Sequence, residues 1–173
     1  MSSVSAVTLR SVKLYQTESY SSRSFRTTVD YSAQGVKRLR TPTPAGQNPP
    51  KVKRFKLGNV HDLHSALLFI RSQRLRDGDT VRLCVYASTS PYLAEVTVLG
   101  RSKIATAGRE WDAIRCEVKL RAVEKDFSLA PYTKLKRATA WLSDDADRLL
   151  LRVEADVFIG SVWAEMKSVE FLN

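Results

Sequence analysis

From Thr80 to the end of the chain, segment after segment alternates apolar and polar residues with a period of two. Val81, Leu83 and Val85 alternate with Arg82, Cys84 and Tyr86, and Tyr92, Ala94, Val96 and Val98 follow the Ser90-Pro91 turn. Ile114, Cys116, Val118 and Leu120 alternate with Arg115, Glu117, Lys119 and Arg121. Leu149, Leu151, Val153, Ala155 and Val157 enclose Arg152, Glu154 and Asp156, and Val162, Ala164 and Met166 continue the pattern. Successive side chains of a strand point to opposite faces, so such runs have one polar and one apolar face. Joined by short turns, they predict an antiparallel meander.

The earlier part of the chain adds less regular strands and one helix. Ser24–Asp30 and Val36–Arg40 read as strands about an Ala33-Gln34-Gly35 turn, and Val52–Leu57 alternates again. Between them, residues 41–51 hold four prolines and a glycine, which predicts a loop. Residues 1–22 carry no pattern that assigns an element, so the expected domain is a single one over 23–173. A helix is predicted over 60–73, with Asn59 as N-cap and Asp62 reaching back to the free amides. Leu63, Ala66, Leu67 and Ile70 form its apolar stripe, and Leu68 and Phe69 widen it, so the helix is expected to be enclosed. The expected architecture is mainly β: a curved antiparallel sheet, a half-barrel meander, around that helix. Gly100, Gly108 and Gly160 are the expected bends or bulges.

Charge is unevenly distributed. Of the formal net charge of +10, residues 1–60 contribute 11 Lys/Arg against two acids, Glu18 and Asp30. No apolar run approaches the roughly 18 residues of a membrane span, and the first residues lack the basic and apolar regions of a signal peptide. As written, the chain is expected in the cytoplasm. Cys84 and Cys116 fall in predicted strands without a CxxC motif. They read as packed free thiols, with a disulfide open only if their strands are neighbours.

Few residues suggest chemistry. Asp144, Asp145 and Asp147 lie between two alternating runs, where turn residues are wanted and no other acidic cluster converges. They read as a hairpin tip. His61 and His64 stand three apart at the helix start and read as solvated, since zinc needs three or four ligands. There is no phosphate loop and no nucleophile elbow. No residue is assigned to catalysis, a cofactor or a metal.

Two binding readings stay open. Leu67, Phe69 and Ile70 with Trp111, Trp141 and Trp163 could line an apolar ligand cavity between helix and sheet. Lys37, Arg38, Arg40, Lys53, Arg54 and Lys56 flank the proline-rich loop with Phe55 among them. They would suit an anionic lipid surface or, as the weaker option, nucleic acid.

Several phrases resemble a family of bacterial exported proteins classed as domain of unknown function thirty-one-oh-eight. Asp62, Ser65, Ala66, Leu67, Arg71 and Ser72 match its helix pattern. Trp141, Leu142, Ser143, Asp144, Asp145 and Arg148 match its hairpin, and Gly160-Ser161 its last strand. Leu149 and Leu150 stand where members usually place a proline. The resemblance covers residues 24–171. It implies a fold similar to lipoprotein-carrier half-barrels and a place in the periplasm or cell envelope, with a lipid, lipoprotein or peptide as the expected partner; with no catalytic motif to assign, the chain is expected not to be an enzyme. It also implies that strands before residue 24 are missing, which would leave an open sheet edge for self-association.

Overall fold

A computed structural model describes residues 1–21, 23–43, 49–87, 89–133, 135–157 and 160–170. Residues 44–48 of the proline-rich stretch, and Phe158 and Ile159 of the last family motif, lie outside the described residues. The expected mainly β fold is what the chain adopts: strands dominate, and one α-helix occurs among the described residues.

The strands divide into two sheets in place of one continuous meander. The first holds β1 (Ser2–Val4), β2 (Ser11–Tyr20), β3 (Arg23–Ser32), β4 (Gly35–Thr43) and β5 (Lys51–Phe55) in chain order. Its strand pairs are antiparallel. Residues 1–22, left unassigned by the sequence reading, supply two of these strands. The second sheet runs β12 (Gly160–Glu165), β11 (Leu150–Val157), β10 (Leu135–Ser143), β8 (Arg109–Val123), β7 (Pro91–Thr106) and β6 (Thr80–Tyr86). A short β9 (Leu129–Pro131) also pairs with β8. Neither order returns to its own start, so no closed barrel forms among the described residues.

The residues group into two compact units. One comprises Met1–Ile70, Leu83–Tyr92 and Val123–Ser128; the other comprises Arg71–Arg82, Leu93–Ala122 and Leu129 onward. The first unit closes round Leu14, Val29, Tyr31, Val36, Val60 and Tyr86, with Phe55, Leu57 and Cys84 at its margin. Leu14, Val29, Tyr31 and Val36 come from the inward-facing positions of β2 to β4, where alternation puts every second side chain on one face. Tyr86 stacks edge-on to Tyr31, whose hydroxyl donates to the Tyr86 carbonyl at 2.8 Å. His61 docks beside β6 in a parallel bridge to Val85, its amide and carbonyl bonded to Cys84 and Tyr86 at 2.8 and 2.7 Å.

The second unit contains a core cluster of Trp111, Ala113 and Leu151, flanked by Ile104, Trp141, Leu149, Met166 and Val169. Trp111 donates its indole N–H to the Thr106 carbonyl at 3.1 Å, which meets the polar need of a buried Trp. Cys84 and Cys116 are both free. Burial raises both thiols, that of Cys116 to about 11, so both stay protonated at neutral pH.

The helix, α1, is shorter than expected, Leu63–Arg71. Its N-cap is Asp62: the carboxylate accepts from the Ser65 amide at 2.9 Å and the carbonyl from the Ala66 amide at 2.9 Å. Asn59 instead turns the chain at φ 58° and accepts from Arg10 at 2.7 Å. Nor is the helix enclosed. Its buried side is Ser65 and Ala66, while Leu63 and Leu68 are 63% and 39% exposed. The reason is polar: hydroxyls of β1 and β2 meet the helix start, so the small residues face inward and the larger apolar ones are only partly covered.

Of the expected bends, Gly108 closes the β7–β8 turn at φ 74°, and Gly100 and Gly160 also take positive φ. The tightest glycines are others. At Gly35 a Cβ would overlap the Phe55 carbonyl, and at Gly58 the Ala33 carbonyl, so backbone passes where any side chain would stand.

Candidate functional site

Each motif singled out by the sequence can be placed. The three aspartates form a turn between β10 and β11, and all are exposed. Asp145 accepts from the Ser143 hydroxyl at 2.6 Å and from the Asp147 and Arg148 amides at 3.0 and 3.1 Å. Burial alone would raise its pKa, but these donors hold it below the ordinary carboxylate value. Asp144 bonds Arg101 at 3.1 Å and Arg148 at 3.0 Å. The carboxylates of Asp144 and Asp145 are thus committed to pairing with arginines and shaping a corner.

His64 lies in solvent, but His61 is buried, against the expectation that both are solvated. Its ring Nδ1 lies 3.0 Å from the Ser65 hydroxyl, which in turn lies 2.7 Å from that of Ser11. Asp62, fully buried, accepts from the Ser2 hydroxyl at 2.5 Å, and its amide donates to Ser11 at 2.6 Å. Burial lowers the His61 pKa, with Arg10 nearby acting in the same direction, so the ring is neutral at pH 7. Serine, histidine and aspartate meet here, but the histidine does not address the carboxylate and the Ser65 hydroxyl is sealed from solvent. Their chemistry is that of a cap and a strand anchor.

The six residues expected to line an apolar cavity are divided between the two units. Leu67, Phe69 and Ile70 are half-buried in the first unit. Trp111 and Trp141 meet in the cluster of the second, whereas Trp163, on β12, is 61% exposed.

The six expected anion contacts are split by strand alternation. Cross-strand partners run Lys37–Arg54, Arg38–Lys53 and Arg40–Lys51. Lys37 and Arg54 therefore share one face of the first sheet, and Arg38, Arg40 and Lys53 the other. Arg38 is buried. Arg40 is paired with Glu18 at 2.5 Å and stacked 3.8 Å over the Phe25 ring. Lys56 lies just past β5.

The outward face is more extensive than the sequence suggested. One row across β2 to β5 reads Lys13, Asp30, Lys37, Arg54; the next reads Tyr15, Thr28, Leu39, Val52. Tyr15, Leu39 and Val52 are 41%, 36% and 50% exposed. Arg26 and Thr17 stand in the row beyond. Four cations thus meet one carboxylate, Asp30, which pairs with Lys13 at 3.2 Å. Lys13, Tyr15 and Arg26 were missed by the sequence reading. The signal that could have found Lys13 and Tyr15 is the alternation of Val12 to Gln16, too short to stand out alone; Arg26 lies in the strand read over Ser24–Asp30.

Fold and surfaces define a two-sheet antiparallel β protein with a basic, partly apolar sheet face. A family model described as protein of unknown function (DUF3108) matches residues 2–167, and the chain belongs to this family. The match begins well ahead of residue 24, where the resemblance was first read. No curated protein and no solved structure matches the chain.

Proposed function

We propose that this is a non-catalytic binding module of the cell envelope that docks the outward face of its first sheet on an anionic phospholipid surface. One observation carries the reading: a row of three cations beside a row of Tyr15, Leu39 and Val52, all on one face. Cations near an anionic leaflet each contribute about 1 kcal/mol. Exposed apolar side chains beside them can enter the boundary between headgroups and acyl chains. A nucleic-acid reading accounts for the cations but leaves the aliphatic pair Leu39 and Val52 unused. On this reading the lipid partner expected from the sequence lies against the outward face of the first sheet.

The test is flotation with phosphatidylcholine vesicles with and without phosphatidylglycerol. Binding is expected only with the anionic lipid, to weaken with salt, and to fall about tenfold or more in Lys37→Glu/Arg54→Glu. Leu39→Ser/Val52→Ser should lose the salt-resistant part of binding. Equal partition onto both vesicle types, or binding indifferent to charge reversal, would sink the reading.

A further inference from the structure

The polar face of the second sheet carries a different feature. Arg115, Arg137, Thr139, Trp141, Glu154 and Asp156 line a half-open cleft of about 220 Å³. They come from three adjacent strands, β8, β10 and β11, and register explains their meeting. Trp141 pairs with Arg115 on one side and Arg152 on the other, Thr139 with Glu154, and Arg137 with Asp156. On one side Trp141 belongs to the margin of the Trp111 cluster; the rest of its surface faces the cleft.

The acids of the cleft are engaged and, among the described residues, its two cations are not. Glu154 pairs with Arg152 at 2.5 Å, and Asp156 accepts from the Ser161 hydroxyl at 2.6 Å. Arg152 also lies 5.5 Å over the Trp163 ring, yet its buried Nε has no partner. Arg115 and Arg137 form no hydrogen bond or ion pair among the described residues. A pair of unpaired guanidinium groups therefore flanks a half-covered indole.

The lining narrows the ligand. A purely apolar molecule would leave the two guanidinium groups facing it unsatisfied. A bare inorganic anion would use the arginines but meet the carboxylates at close range and leave the indole idle. A sugar ring has an apolar C–H face for the indole, and hydroxyls that both donate to carboxylates and accept from arginines. A carboxylate on that sugar would take the free guanidinium groups in charge-assisted pairs. We infer that this cleft binds an acidic saccharide, a uronate-bearing glycan segment whose ring stacks on Trp141 and whose carboxylate pairs with Arg115 and Arg137. The half-open form suits one segment of a longer polymer better than a small molecule needing enclosure.

The probe is hexagalacturonate, followed by calorimetry and tryptophan fluorescence on the full chain, with maltohexaose and inorganic phosphate as comparisons. Hexagalacturonate should bind, maltohexaose at least about tenfold more weakly, and phosphate should not compete at equal concentration. Arg115→Gln/Arg137→Gln should lower affinity for hexagalacturonate about tenfold or more with an unchanged melting curve. Trp141→Phe, which keeps a ring against the cluster, should retain part of the binding. The inference falls if hexagalacturonate does not bind, if the arginine variant binds it equally, if maltohexaose binds as well, or if phosphate displaces it at equal concentration.

Discussion

The hydroxyls of Ser11 and Ser65 lie 2.7 Å apart in a buried site, tying β2 to the first turn of α1. Asp62 completes this node, capping the helix through the Ser65 amide and holding Ser2 of β1. Asp62→Ala would remove the cap and leave the Ser2 hydroxyl and the Ser65 amide without their acceptor. A lost cap costs about 1 kcal/mol, and each buried donor left unpaired adds about 1 to 3 kcal/mol. The expected loss is about 3 kcal/mol, read as a lower urea midpoint at unchanged slope. Asp62→Asn, which keeps one carbonyl oxygen for the Ser65 amide, should lose less. Equal losses would show that the cap is not what Asp62 contributes.

The same node makes stability depend on pH. Burial lowers the His61 pKa below its ordinary 6.5. A folded pKa below the unfolded one means that the unfolded chain binds the proton more readily. The stabilisation is therefore complete above about pH 6.5 and is lost as pH falls through the folded value. Urea midpoints measured from pH 8 down to pH 5 should decline, and His61→Gln should flatten part of that decline. An unchanged profile in the variant would assign the acid sensitivity elsewhere.

How far the sequence could be read follows from which forces act locally. Alternation from Ile114 to Arg121 predicts a two-faced strand, and β8 is one, because period two needs only a pleat and a face to bury. The Asp145 corner was equally legible, since an aspartate capping its own turn is a local event. The N-terminal strands were not: β1 has three residues, and its place depends on Ser2 reaching Asp62, sixty positions away. The helix misled for the same reason. Leu63 and Leu68 suggested enclosure, but the side packed inward is decided by hydroxyls from β2, which helical periodicity does not report. The basic patch was visible as composition. Its division between two faces required the β4–β5 register that sets Lys37 against Arg54.

Glycine provides a steric test of that register. A Cβ at Gly58 would overlap the Ala33 carbonyl, and at Gly35, where φ is 140°, the Phe55 carbonyl. Both neighbours are backbone, so relief requires backbone segments to move apart. Gly58→Ala and Gly35→Ala should each destabilise by about 3 kcal/mol. At Gly108, where φ is 74° and nothing stands within 4 Å, only backbone strain remains. Gly108→Ala should cost about 1 kcal/mol. Thermal melts of the three variants should therefore separate into two classes, and a Gly58 variant as stable as the Gly108 variant would contradict the close approach.

The Asp145 corner offers a test of what the three aspartates are for. One carboxylate oxygen of Asp145 accepts from the Ser143 hydroxyl and from the Asp147 and Arg148 amides. Arg148 takes φ 49°, a left-handed conformation that a non-glycine residue holds only when its surroundings impose it. Asp145→Ala would free these donors and relax Arg148, lowering stability by about 1 to 2 kcal/mol. Asp145→Asn keeps an acceptor oxygen and should lose about half as much. Because the donors hold the Asp145 pKa below its ordinary value, the contribution is present above about pH 4 and lost as pH falls through the folded value. The Ala–Asn gap should therefore persist at pH 7. If calcium instead raised the melting temperature of the native chain and not of Asp145→Ala, these carboxylates would be ligands and not turn-formers.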